Sequence, residues 1–254
     1  MKKNQIAAQL YTVRSFTKTA EDLDAALQKI KAIGYDAVQV SGIGPIAPEA
    51  VLEMCQRRGL TICATHVPFE WLLQDLDNVI KVHKAWNCRY VGIGSMPPAY
   101  RTGLSGYQEM ARTLSEIGAK LSEAGLGLIY HNHKFEFEKI AGKTGLEWLL
   151  EESDAAHVGF ELDMYWVQAG GANPVNWVLK VDGRMKVVHL KDMAIVNDTQ
   201  TFAEIGEGNM DWPAVLDACR ATGVEWYVVE QDVCPGDPFE SLALSYHTLS
   251  GWAE

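Results

Sequence analysis

Apolar and polar positions follow two different periods along this chain, and the two periods take turns. Short runs rich in Val, Ile and Leu recur as QIAAQLY, DAVQVSG, TICATHV, YVGIGS, LGLIYHNH, VGFELDM, MKVVHLKD and WYVVEQD, and each reads as a strand. Between them, AEDLDAALQKIKAIG, PEAVLEMCQRRG, YQEMARTLSEIGAKLSEAG and DWPAVLDACRATG carry apolar residues at helical spacing and stop at Gly, a common helix terminator. The order strand, helix, strand, helix persists along the chain, with strand starts at intervals of roughly 25 to 40 residues and no long linker. The spacing predicts an α/β fold with one (β/α)8 TIM-barrel domain over residues 1–254, in preference to an open doubly wound sheet.

A chain of 254 residues can bury one substantial core, and 48% hydrophobic with 22% charged residues is the balance of a globular protein. The net charge of -11 argues against a nucleic-acid partner, because phosphate binding rests on Lys and Arg. No apolar stretch approaches a membrane span and the N-terminus has no continuous apolar segment, so no membrane partner and a cytoplasmic location are expected. Five cysteines without a C-x-x-C pair argue against a disulfide framework and a structural zinc site. No glycine-rich dinucleotide fingerprint follows the first strand. EIGEGNMDW places glycines ahead of a helix expected to start near Asp211, but its two Glu and lack of Lys make it a turn with an Asp cap rather than a phosphate loop.

The last four strands carry the chemistry. A TIM barrel keeps its active site at the C-terminal ends of its strands, on inward positions that recur with period two. His131 and His133 share such a face, as do Glu161 and Asp163, His189 and Lys191, and Glu230 and Asp232. Plainer roles exist for each: Glu161 could pair with Lys191, and Asp232 could cap a loop. Gathering several buried carboxylates, however, requires a compensating cation, and a divalent metal supplies it economically. Imidazole with carboxylate suits Mn, Fe, Co, Ni or Zn, and a carboxylate-rich shell also admits Mg. Gln9, Tyr11 and His66, at the ends of earlier strands, are candidate substrate contacts.

The strings GYDAVQV, ATHVPFEW, YHNHKFEF, ELDMYWVQAGGANP, VVHLKD and YVVEQD, in this order, resemble the xylose-isomerase-like sugar phosphate isomerase/epimerase superfamily over nearly the whole chain. The resemblance implies one divalent metal ion held at the ends of the fifth to eighth strands by His131, Asp163, His189 and Glu230. In the sugar epimerases of that superfamily the fifth-strand ligand is a glutamate that also moves a proton; here His131 falls on that place. Two alternatives stay open: His131 is the ligand and His133 the base, or Glu136 or Glu138 folds back to replace His131.

The activity implied is that of an isomerase or epimerase on a keto-sugar or sugar phosphate, removing a proton next to a carbonyl through a metal-stabilised enediolate. His133 or Glu230 would take the proton and Lys191 would stabilise the oxyanion. Glu136 and Trp166 are further substrate-binding candidates, the indole stacking on the sugar with Phe69 or Trp71. Expelling a β-leaving group instead gives a dehydratase or lyase acting on a keto-sugar, inosose or keto-glycoside, which the departure at His131 favours. An endonuclease of the same superfamily is disfavoured by charge, and a non-catalytic sugar-binding barrel is the remaining class. The expected partner is a small carbohydrate, and a homodimer is compatible with the aromatic VPFEWLL loop.

Overall fold

In the computed structural model, which describes residues Met1–Glu254, all eight apolar runs form strands: β1 (Ile6–Gln9), β2 (Ala37–Val40), β3 (Thr61–His66), β4 (Tyr90–Ile93), β5 (Gly127–His131), β6 (Val158–Glu161), β7 (Val187–Leu190) and β8 (Trp226–Val229). They pair in parallel in the order β6-β5-β4-β3-β2-β1-β8-β7. Regular pairing stops between β6 and β7, where the bridges Phe160 to Met185 and Asp163 to His189 close the ring. The result is a nearly closed TIM barrel with flanking helices.

Period two explains how the barrel is filled. Ala7, Ala37, Ile129, Val187 and Val228 belong to one small buried apolar cluster. Two residues further along the same strands stand Gln9, Gln39, His131, His189 and Glu230, all buried as well. Inward positions thus change from apolar to polar in one step towards the C-terminal rim. The opposite strand faces pack against the helices in a second, much larger apolar cluster.

The helices start and stop where local chemistry dictates. Thr19 and Asp22 form a capping box at the start of Ala20–Ile33, which ends at Gly34 with φ 125°. Asp211 caps Trp212–Ala221 by accepting from the Ala214 amide, as the turn reading of EIGEGNMDW predicts. The periodicity did not predict the antiparallel hairpin Asp192–Val196 with Thr199–Ala203, inserted after β7. Its turn residues Asn197 and Asp198 have φ of 50° and 61°, a conformation Asn and Asp tolerate better than most residues, so the N-D pair was the available signal.

The same insertion is anchored by Asp192, which is fully buried. Its Oδ1 accepts from the amides of Met193 and Met210, and its Oδ2 from those of Gly206 and Gly208 and from Trp212 Nε1. Gly208 is required by this approach, since a Cβ there would lie 2.2 Å from Asp192 Oδ1. No helix is long and apolar enough to cross a membrane.

Candidate active site

The rim of β5–β8 gathers His131, Asp163, His189 and Glu230, each buried and each offering one donor atom, all within 4.8 Å of one another. Asp163 follows β6 and caps the helix Met164–Ala169 by accepting the Trp166 amide at Oδ1 (3.0 Å), which leaves Oδ2 turned towards the group. The Asn132 side chain accepts the Asp163 amide at 3.0 Å and so ties the ends of β5 and β6 together.

Hydrogen bonds set the histidine tautomers. His131 Nδ1 lies 3.1 Å from the Gly94 carbonyl, which can only accept, so Nδ1 carries the hydrogen and Nε2 faces inward. That Nε2 is buried without a hydrogen-bond partner, 3.4 Å from Asp163 Oδ2, which the Lys191 ammonium also approaches at 3.0 Å. The oxygen has Lys191 for a counter-ion, but the imidazole lone pair faces it with no hydrogen between them, a gap that a proton on the ring or a metal ion would fill. His189 Nε2 points at Gln39 Oε1 (2.6 Å) and Glu161 Oε1 (3.3 Å), while its Nδ1 faces Glu230 Oε2 (3.1 Å) and Asp163 Oδ2 (3.9 Å). A metal ion bound in the group would displace the hydrogen on Nδ1, while Gln39 and Glu161 keep the one on Nε2, the arrangement of a metal-ligating histidine. Two imidazoles and two carboxylates fit a divalent ion such as Mn, Fe, Co, Ni or Zn.

Charges around the group are tightly compensated. Lys191 Nζ lies 3.0 Å from Asp163 Oδ2 and 2.9 Å from Glu230 Oε2, and it also bonds Asp232. Burial opposes its charge, but Asp163, Glu230 and Asp232 outweigh burial and hold the ammonium above its ordinary value. Burial would raise the Asp163 and Glu230 carboxyls, yet Lys191 beside them keeps both low. Burial likewise opposes a charge on His189, and Glu161 and Glu230 overcome it, lifting the imidazole to about 10. His133 goes the other way: burial, then the neighbouring His131, depress it to about 3, so its ring stays neutral with Nδ1 unpartnered.

Of the residues singled out in the sequence, Tyr11, His66, His131, His133, Glu230 and Asp232 line one cavity of about 1110 Å³. Gln9 lies beneath it, donating to Gln39 Oε1 at 3.0 Å. Trp166 does not line it; its ring lies tilted against His133, with centroids 5.4 Å apart. Phe69 and Trp71 do line it. Glu136 lies behind His133, accepting from Tyr130 Oη (2.7 Å) and the His133 amide (2.9 Å), and Glu138 is exposed. Of the two alternatives for the fifth strand, His131 therefore stands with the other three donors. Glu161 pairs with His66 (2.5 Å) and His189 rather than with Lys191. Sequence reasoning missed Gln39, which donates to Glu161 Oε1 at 2.8 Å; the signal was a Gln inside the apolar run AVQV, two residues after Ala37.

Burial pushes the Glu136 carboxyl up to about 8, against the hydrogen bonds it accepts. Its folded pKa lies above the ordinary 4.5, so between these values the folded protein holds a proton that the unfolded chain has released. This contribution to stability is therefore lost as pH rises through that window, by at most about 1.4 kcal/mol per pH unit, and levels off above it. Glu136→Gln is expected to be more favourable relative to the parent at about pH 8 than at about pH 5 in urea unfolding. A difference independent of pH would contradict this reading.

Fold and site together define a TIM barrel with a buried His/Asp/Glu group at its C-terminal rim that could hold a metal ion. The chain belongs to the xylose isomerase-like TIM barrel family, whose model matches residues 27–241. It is 29% identical over 145 residues to an inosose dehydratase of Geobacillus thermodenitrificans, a match covering 50% of this chain and 48% of that protein. The chain thus spans about half the length of that relative. It is 23% identical to a rhizopine catabolism protein of Rhizobium meliloti, covering 88% of this chain and 78% of the other. A solved sugar phosphate isomerase/epimerase of Parabacteroides distasonis superposes with a TM-score of 0.82 at 22% identity, over 98% of this chain and 94% of that one, and so shares the fold.

Proposed function

We propose that this protein is a metal-dependent isomerase or epimerase that moves a proton at a carbon beside the carbonyl of a keto-sugar. The observation that carries this reading is the convergence of His131, Asp163, His189 and Glu230 beside a neutral, cavity-facing His133. A bound divalent ion would supply Lewis acidity to the substrate carbonyl. The chain's own groups divide the remaining work. His133 offers a free lone pair at the cavity wall and takes the proton from carbon. Its return by His133 to the neighbouring carbon gives isomerisation; delivery of a proton to the opposite face by a second group, for which Glu230 stands in the same cavity, gives epimerisation. Lys191 keeps Asp163 and Glu230 ionised, and Glu161 orients the His189 ring so that its Nδ1 faces the group. Pre-set donors and charges of this kind act without reorganising during the reaction.

Incubation of keto-sugars with the metal-loaded protein in D₂O is expected to add one deuterium to recovered sugar, read by mass spectrometry. His133→Asn is expected to slow this exchange by about 10²-fold or more, the ordinary scale for loss of a general base. Unchanged exchange in that variant would remove His133 from the role. A second reading, elimination of water or another β-leaving group, is favoured by one feature: the place of a second proton-moving carboxylate is held by His131. The similarity to inosose dehydratases agrees with it. Product lighter than substrate by one water would select that outcome over proton return.

A further inference from the structure

The cavity is chemically two-sided. Its inner side carries His131, His133, Glu230 and Asp232 from the β5 and β8 ends. Its outer side is built by the loops and helix starts after β2, β3 and β4, with Ile43, Ile46, Val51, Val67, Trp71 and Met96 among its walls. Both belong to one continuous space of about 1110 Å³. Pockets that enclose whole drug-sized ligands measure roughly 300–1,000 Å³. A lone sugar held at the inner side would leave the apolar walls against water.

Charge narrows the occupant further. Arg101 is the only Lys or Arg among the lining residues, against Glu70, Glu230 and Asp232. Its Nε and Nη2 already donate to the Met96 carbonyl, and Nη2 also to Ser95 Oγ. Lys191 is held by three carboxylates. No pair of free cations therefore faces the cavity to receive a phosphate.

We infer that the substrate is a neutral carbohydrate bearing an apolar, ring-sized substituent, which the loops after β2, β3 and β4 hold while the sugar meets the β5–β8 rim. This deepens the proposed function and rests on its assignment of the rim to a sugar. Trp71 is 57% exposed at this outer side, so its indole is free to cover an incoming ring.

Calorimetric titration of the metal-loaded protein with matched phenyl and methyl β-glycosides, and with a sugar phosphate, tests the inference. Within each sugar the phenyl compound is expected to bind at least about tenfold tighter than the methyl one, as burial of a ring implies. Trp71→Ala, a change at an exposed position, is expected to shrink the phenyl-over-methyl affinity ratio several-fold. Equal affinities, binding of neither glycoside, or tightest binding of the sugar phosphate would overturn it. So would a Trp71→Ala variant that converts a dimer to monomer with unchanged glycoside affinities, since a second copy would then cover these walls. The two readings fail separately. A phenyl preference without deuterium exchange on any keto-sugar would sink the proton-transfer reading alone, and exchange without a phenyl preference would sink the apolar subsite alone.

Discussion

Asp163→Asn is expected to weaken divalent-metal binding by about 10²-fold or more and to remove metal-dependent activity, while leaving the adjoining helix capped. Loss of groups that merely orient a ligand already costs 10–100-fold in metal affinity, so loss of a charged donor should cost at least the upper end. The amide keeps an oxygen for the Trp166 amide, the cap that Asp163 Oδ1 provides now. Its NH₂ would then face His131 Nε2, which has no hydrogen-bond partner. Asp163→Ala removes charge and cap together, and should add about 1 kcal/mol of destabilisation to the same loss of metal binding. Calorimetric metal titration with urea unfolding of the metal-free variants separates the two effects. Parent-like metal affinity in Asp163→Asn would exclude Asp163 as a ligand.

The largest expected effect on stability lies outside the metal-binding group. Asp192→Ala leaves five N–H donors without their acceptor: the Met193 amide beside it, three amides of the loop ahead of Trp212–Ala221, and the buried Trp212 indole. Hydrogen bonds to a charged group are worth about 1.5–3 kcal/mol each, and water can reach only some of the freed donors. A loss of about 4 kcal/mol or more is expected, a large part of the roughly 5–15 kcal/mol that holds a protein folded. The urea midpoint should fall with an unchanged slope. Asp192→Asn should lose less than Ala but remain destabilised, because whichever way its amide turns, NH₂ meets N–H donors. A loss below about 1 kcal/mol in Asp192→Ala would contradict the anchoring role.

The alternation of strand and helix was legible because the repeating pattern of a parallel barrel is local to each segment. The rim chemistry was legible for a related reason: period two puts Asp163 two residues after Glu161, and Lys191 two after His189, so adjacent strand ends reveal one another. Partner choice was not legible. Glu161 and Lys191 lie on neighbouring strands, yet Glu161 turns to His66 and His189, and Lys191 to Asp163, Glu230 and Asp232. Which carboxylate meets which cation depends on depth along the barrel axis, which a linear pattern does not carry. Asp192 was hidden because most of its partners are backbone amides 14 to 18 residues away, and any residue but proline supplies such a donor. The apolar side of the cavity was hidden because loops, which have no period, and the first turns of the helices that follow them build it together.

The incomplete pairing of β6 with β7 has a mechanical consequence. Unrolled along that line, the barrel would carry His131 and Asp163 on one lip and His189 and Glu230 on the other. Few backbone bonds cross the line, among them Phe160 N–H to Arg184 O at 2.8 Å and His189 N–H to Leu162 O at 2.9 Å. The same line that the ring has to close across thus divides the four donors two and two. A cation shared between them would act as a clasp on the cylinder, adding its binding free energy to the closure of the ring.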